Sequence, residues 1–242
     1  MRNLFCHFVK GPWPDPLLQN CLYSVAMSTA ASTGKCQLCG QTVTRAASTR
    51  HVPLCWRLQT TPSEAAESFH FVVAGRYAKA YWMHVAVPAT ATLAKLDSFL
   101  RKTWLECCGH LSSFEIAGEH YSSSPMEGTA TMKWPLHQLV GVGTSFSYQY
   151  DFGSTTELTL KVAGVLEGGT PKAAGRLLAR NQPPAILCQH CRIEPASKIC
   201  GQCNFDDEAW LCQGCARSHS CGEEMLLPVT NSPRVGVCAY SG

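Results

Sequence analysis

Phe146-Ser147-Tyr148-Gln149-Tyr150-Asp151-Phe152-Gly153-Ser154-Thr155-Thr156-Glu157-Leu158-Thr159-Leu160-Lys161-Val162 alternates, breaks and alternates again. Aromatic residues at 146, 148 and 150, then aliphatic residues at 158, 160 and 162, repeat with the period of two that turns one strand face to a core. Gly153-Ser154-Thr155 lies between them, so the stretch predicts a β-hairpin, with Asp151 capping its turn.

Upstream, Phe69 to Val73 and Tyr81 to Val87 are rich in aromatic and β-branched residues and predict two more strands, the second stopped by Pro88. Thr92 is an N-cap candidate, after which Leu93, Leu96, Leu100 and Trp104 share one helical face. Phe114 to Ile116 predicts a short strand, and Trp134 to Leu139 a brief helix starting near Pro135. Strands and helices neither alternate strictly nor repeat. The expected fold class is an α+β central domain over residues 68–166, flanked by small zinc-stabilised modules.

The chain has 242 residues, of which only 15% are charged, and a net charge of +3. That balance excludes a histone-like polycation and a highly charged disordered chain. Cysteine is the outlier, at 15 residues, and Cys-x-x-Cys pairs account for much of it. Leu4 to Val9 is too short and too polar for the apolar part of a secretion signal, and Pro16 to Gly34 is too polar to span a membrane. An odd cysteine count with paired spacing fits thiolate ligands in a reducing compartment. The expectation is a cytoplasmic, zinc-binding protein without a membrane partner. Residues 1–34 are expected to be a disordered tail, with Met27 as an alternative start that would leave residues 1–26 untranslated.

Residues 35–60 read as a CCHC zinc finger with ligands Cys36, Cys39, His51 and Cys55. The two-residue gap lets one tight turn present two thiolates, and the three-residue gap puts His51 and Cys55 one helical turn apart. Pro53 between them predicts that this turn either begins its helix or is irregular. The apolar filling is thin, Val43, Val52 and Leu54, so metal is expected to supply most of the folding energy. Residues 167–187 read as a linker between Gly168-Gly169 and Pro183-Pro184, with Leu177 to Arg180 extended or in a short turn.

Residues 188–242 form the second cysteine-rich module, and their six paired thiolates exceed one tetrahedral site. The regular spacing favours interleaved sites, Cys188, Cys191, Cys212 and Cys215 on one ion and Cys200, Cys203, His219 and Cys221 on the other. Sequential pairing is the rival arrangement, and Cys238 is an alternative to Cys221. About three zinc ions are expected in all, one for each set of four ligands. Metal removal is expected to unfold the flanks and spare the centre.

Charge separates the modules. Residues 35–60 hold Lys35, Arg45, Arg50 and Arg57 and no acid, which makes those four the candidate nucleic-acid contacts. Residues 188–242 hold four basic residues against six acids. Cys107-Cys108-Gly109-His110 offers a nucleophile beside a base, or a metal cluster; the favoured reading is a helix end, with Gly109 as its left-handed terminating residue and the thiols packed inside. Catalysis has only Cys108, His110 and Asp151 to draw on, without an orienting group, so no catalytic residue is assigned. Asp151-Phe152-Gly153 lacks the partners of a nucleotide site.

Val87-Pro88, Leu96-Asp97-Ser98-Phe99-Leu100-Arg101, Trp104-Leu105-Glu106-Cys107-Cys108-Gly109-His110-Leu111 and Tyr150-Asp151-Phe152-Gly153 resemble the plasmid pRiA4b ORF-3-like family, whose members carry insertion-element and resolvase labels. Members with zinc motifs on both flanks resemble the chain over roughly residues 36–242. Many have an acidic turn where this chain has Ser154-Thr155. The resemblance implies mobile-element ancestry. A serine recombinase needs a nucleophilic serine supported by several arginines, and the central region offers only Arg76 and Arg101. The expected function is a multi-zinc, non-enzymatic adaptor that contacts a protein partner, with DNA contact through the first finger. The alternative is a nucleic-acid-processing enzyme of recombinase or resolvase type.

Overall fold

The computed structural model describes residues 32–60, 67–169, 171, 174–203 and 208–242. The expected tail, apart from residues 32–34, and the alternative start at Met27 lie outside these. In chain order the strands are β1 (Thr33–Cys36), β2 (Thr42–Thr44), β3 (Glu67–Gly75), β4 (Trp82–Pro88), β5 (Ser112–Ile116), β6 (Glu119–Ser122), β7 (Ala130–Thr131), β8 (Ser145–Tyr150), β9 (Thr156–Glu167), β10 (Arg176–Asn181), β11 (Lys198–Cys200), β12 (Trp210–Leu211) and β13 (Leu226–Pro228). The helices are α1 (Arg45–Gln59), α2 (Leu93–Leu100), α3 (Leu136–Leu139) and α4 (Gln213–Ala216), with a π-helical turn over Arg101–Leu105.

β8 and β9 form the hairpin, with Phe146 opposite Leu160 and Tyr148 opposite Leu158. Asp151 begins the turn at φ 65°, and its Oδ1 accepts the amides of Gly153 (3.0 Å) and Ser154 (3.3 Å). A short acid can close an Asx-type turn in that conformation. β9 continues onto β3, and β3 onto β4, all antiparallel. Both β3 and β4 are buried on both faces, which is why their sequences run apolar instead of alternating.

One face receives α2 and the π turn, where Leu93, Leu96, Leu100 and Trp104 are fully buried with Phe71, Val85 and Leu158. Thr92 caps α2 by accepting the Lys95 amide. The other face receives α1. Val52 and Trp56 pack there with Ala74, Trp82, Ala86 and Leu178, and the Trp56 indole donates to the carbonyls of Glu167 and Gly168.

The sheet is wider than the central segment alone. Its order is β2-β1-β10-β4-β3-β9-β8-β5-β6-β7. β10 lies inside the expected linker and covers the edge of β4, and β1 of the finger then pairs with β10. An uncovered β4 edge would present a row of unpaired amides and carbonyls. Three local expectations change. Pro53 sits in the interior of α1, because the packing of Val52 and Trp56 holds the helix on both sides of it. Leu54 is exposed, and Trp56 supplies the filling instead. The cysteine-rich end is also docked: Ile199, Ala209 and Val235 join the main core, and the Ser232 hydroxyl donates to the Trp104 carbonyl.

Between α1 and the sheet, His70 and His84 are fully buried and hydrogen-bond to each other at 2.9 Å. Burial pushes His70 down to about 4 and His84 down to about 3, the latter helped by the charges of His70 and Arg45. Above pH 6.5 both imidazoles are neutral whether the chain is folded or not. Below it the unfolded chain takes up protons that the folded one refuses, so stability falls as the pH drops, down to about 4 for His70 and about 3 for His84. The loss approaches about 1.4 kcal/mol per pH unit for each imidazole. Substituting both together, His70→Leu with His84→Leu, should leave stability near neutral pH similar and flatten this acid limb in urea melts. Parallel pH profiles for the two proteins would refute the assignment.

Candidate metal centres

In the finger, Cys36 ends β1 and Cys39 follows in a tight turn closed by the Gly40 amide on the Cys36 carbonyl (2.8 Å). Gly40 takes φ 77°, which only glycine adopts without cost. Thr44 caps α1 through the Ala47 amide, which sets the helix that brings His51 and Cys55 alongside. His51 Nε2 lies 3.4 Å from Cys39 Sγ and 3.2 Å from Cys55 Sγ, and the four donor atoms lie within 4.8 Å of one another. The Gln41 amide lowers Cys39, whereas burial and the neighbouring thiols push Cys55 up to about 12. The neighbouring thiols oppose ionisation of Cys55 while their hydrogen bonds assist that of Cys39, and a bound dication favours the thiolate at both.

At the other end, Cys188, Cys191, Cys212 and Cys215 converge, as do Cys200, Cys203, His219 and Cys221. The interleaving follows from β11 pairing with β12: Lys198 lies opposite Leu211, so the chain on either side of each strand contributes to both groups. Cys212 precedes α4, and its sulfur accepts the Cys215 amide (3.4 Å). Cys191 Sγ is 3.9 Å from Cys212 Sγ, and Cys203 Sγ is 3.6 Å from His219 Nε2 and 3.5 Å from Cys221 Sγ. Burial opposes ionisation of Cys188 and Cys200, but amide donors outweigh it and bring them to about 6 and about 7. Cys203 and Cys215 are pushed up to about 12. Cys188, Leu211, Cys212 and Ala216 are the buried centre of the first of these groups, so half of that centre is donor residues.

A fourth group lies elsewhere. Cys107, Cys108, His110 and Cys238 bring their donor atoms within 4.8 Å of one another. The expectation that the two adjacent thiols pack inside is therefore corrected: Cys108 is exposed and Cys107 half-buried. Gly109 does take the left-handed conformation, at φ 76°, but it does not terminate the helix, whose π turn ends at Leu105 with Glu106 already extended. Local spacing offers three of its members as a cluster but could not add Cys238, which lies 130 positions from Cys108. Its signal was a thiol left over from the pairs. The described cysteines are all free, and four groups of Cys and His could each hold a metal ion.

The catalytic candidates also meet here, without forming a relay. His110 Nε2 contacts Cys108 Sγ at 2.9 Å and Asp151 Oδ2 at 3.5 Å. A nucleophile–base–acid triad needs the acid on the other ring nitrogen. Asp151 is instead engaged by Arg234, at 2.6 Å.

The four candidate nucleic-acid contacts do not share a surface. Lys35 alternates with Cys36 on β1, so it points away from the α1 side. Arg50 and Arg57 lie seven apart on the outer face of α1, opposite Val52 and Trp56. Arg45 faces the sheet. There it lines a cleft of about 930 Å³ together with Lys79 and Lys161, and no acid among the described residues lines it.

A family model described as plasmid pRiA4b ORF-3-like protein matches residues 74–185. No curated protein matches the chain. A crystal structure of a protein of unknown function, MM3350 from Methanosarcina mazei Go1, is similar at a TM-score of 0.43 and 16% identity, over 48% of this chain and 69% of that one. No helix among the described residues is long and apolar enough to cross a membrane.

Because α1 fills a sheet face, metal removal should reach beyond the flanks. Exhaustive chelation should abolish amide protection in β1 and β10 and shift the emission of Trp56 and Trp82 to the red, while β8 and β9 stay protected. Trp56→Ala should cost about 3–5 kcal/mol. Unchanged protection over residues 176–181 in the metal-free protein would contradict this coupling.

Proposed function

The chain belongs, over residues 74–185, to the plasmid pRiA4b ORF-3-like family, and from that premise we propose that it is a multi-zinc adaptor of mobile-element type, working in a reducing cytoplasm. The observation that carries the reading is the donor sets. Cys36, Cys39, His51 and Cys55 are one; Cys188, Cys191, Cys212 and Cys215 the second; Cys200, Cys203, His219 and Cys221 the third. Four Cys or His donors complete a tetrahedron and leave no position for water or substrate, as in structural zinc sites. These residues would hold zinc, and the metal would supply folding energy that the thin filling of the modules does not.

A protein partner suits the cysteine-rich end. Leu187 is 53% exposed and Ile193 77% exposed, on the two arms of the Cys188–Cys191 loop, in a module with four basic residues against six acids. Among the described residues of that module Glu194, Glu208, Glu223 and Glu224 outnumber the bases Arg192, Lys198 and Arg217 outside the core, and exposed apolar side chains beside them favour a partner with an apolar patch and basic rim. The recombinase reading has less support. Arg76 is paired with Glu157, and Arg101 with Asp97 and Glu106, so neither is free to stabilise a phosphate.

Native mass spectrometry of the reduced full chain should find at least three zinc ions, and one or none would end the zinc reading. Cross-linking in host lysate should capture a partner that the double variant Leu187→Asp with Ile193→Asp, still metallated, captures at least tenfold less. Equal capture would remove this surface from the adaptor reading.

The cleft lined by Arg45, Lys79 and Lys161 gives DNA contact a second, narrower reading, with these three meeting phosphates. Three contacts predict weak, non-specific binding whose logarithm falls with log salt at a slope of about −3. Replacing the three by alanine should abolish it, whereas replacing Lys35, Arg50 and Arg57 should not. The opposite outcome would return the contact to the outer surface of the finger.

A further inference from the structure

We propose that Cys107, Cys108, His110 and Cys238 form a fourth zinc site, which staples the C-terminal segment to the central domain. Metal–ligand lengths of about 2.3 Å to sulfur and about 2.0 Å to nitrogen imply edges of roughly 3.8 Å between sulfurs and roughly 3.5 Å between sulfur and nitrogen in a tetrahedron. The observed edges are 3.6 Å from Cys107 to Cys108, 3.5 Å from Cys108 to Cys238, 3.2 Å from His110 to Cys238 and 2.9 Å from Cys108 to His110. The sulfur–sulfur edges come close to that geometry, and the sulfur–nitrogen edges are shorter, as is the 3.2 Å edge from Cys55 to His51 in the first group.

The surroundings are built for a charged cluster. Three thiolates and a neutral imidazole on a dication leave one net negative charge. Arg234, fully buried, donates Nη2 to Cys107 Sγ at 3.4 Å and so offsets that charge. Glu106 accepts the Gly109 amide at 2.6 Å and the Tyr150 hydroxyl at 3.0 Å, which fixes the loop carrying three of the ligands. Cys238 and Ala239 both hold left-handed backbone, at φ 50° and 54°. Such strain persists where surrounding contacts enforce it, and a ligand bond from Cys238 is such a contact.

The site differs in kind from the other three. Each of those closes a chain segment on near neighbours, whereas here His110 and Cys238 are 128 positions apart. Its metal would hold the last residues of the chain against the π turn and the hairpin. Two of its thiols are exposed, so it should lose metal first. The proposal extends the zinc reading of the other groups and fails separately from it.

The test is metal counting on the reduced full chain, joined to cysteine mapping. Wild type should hold four zinc ions, and Cys108→Ser and Cys238→Ser should each hold three. Cys107, Cys108 and Cys238 should resist alkylation in the holoprotein and become the first thiols to react as a chelator is added. A wild type with three ions and freely alkylated Cys108 and Cys238 would overturn the fourth site and leave the other three standing. A chain lighter by two hydrogens, with Cys108 joined to Cys107 or Cys238, would overturn it in favour of a disulfide. No zinc at all would overturn both readings. Where a serine variant fails to fold, the order of alkylation in the wild type decides.

Discussion

Arg234 is the hinge of the structure's energetics, because a guanidinium with no exposure to water must be compensated within the fold. Asp151 meets it at 2.6 Å, Thr156 accepts from it at 3.0 Å, and the Ser154 carbonyl accepts at 3.1 Å. These partners all belong to the β8–β9 hairpin. The turn that Asp151 closes is therefore also the socket for a residue from the far end of the chain. Arg234 further stacks over Tyr150, at 4.8 Å to the ring centroid. Removing either charge would leave the other buried alone, at a cost of about 3–5 kcal/mol.

This constraint explains why the molecule is less modular than its cysteine spacing suggests. The central hydrophobic face would fold as an α+β unit, but three segments from outside it complete the structure. β10 covers the β4 edge, α1 covers the second sheet face, and residues 231–234 lock the end of the chain. Asn231 and Asn181 exchange hydrogen bonds of 2.9 Å and 2.7 Å, and Arg180 donates to the Asn231 carbonyl. The groups of Cys and His that could hold a metal thus stand at the borders of a shared core.

Much of this was legible from residues alone. The alternation in 146–162, the Thr92 cap and the 3.6-residue spacing from Leu93 to Trp104 are local signals, and the strands and helix follow them. The convergence of Cys36, Cys39, His51 and Cys55, and the interleaved convergence of the later pairs, follow spacings set by turns and single helical steps. What was not readable depends on distant pairing. β10 carries Arg176 and Arg180 among apolar residues, and nothing in that stretch announces that β4 and β1 lie on either side of it. Pro53 misled because helix interiors normally exclude proline, and here packing on the sheet outweighs that preference. Arg234 gives no local sign of burial, since its acid lies 83 positions earlier.

The place of β10 in the sheet also imposes an order on synthesis. Thr33 and Gln182 are hydrogen-bonded neighbours although 149 positions apart. As the chain leaves the ribosome, β1 and β2 emerge first but have no strand to join until β10 follows. Until then the earliest part of the protein waits beside an incomplete sheet, with the apolar side of α1 uncovered. Loop closure over such a span is slow, and waiting surface of this kind is what chaperones recognise. A metal ion captured early by the finger would fold that waiting segment locally, well before its final neighbour exists.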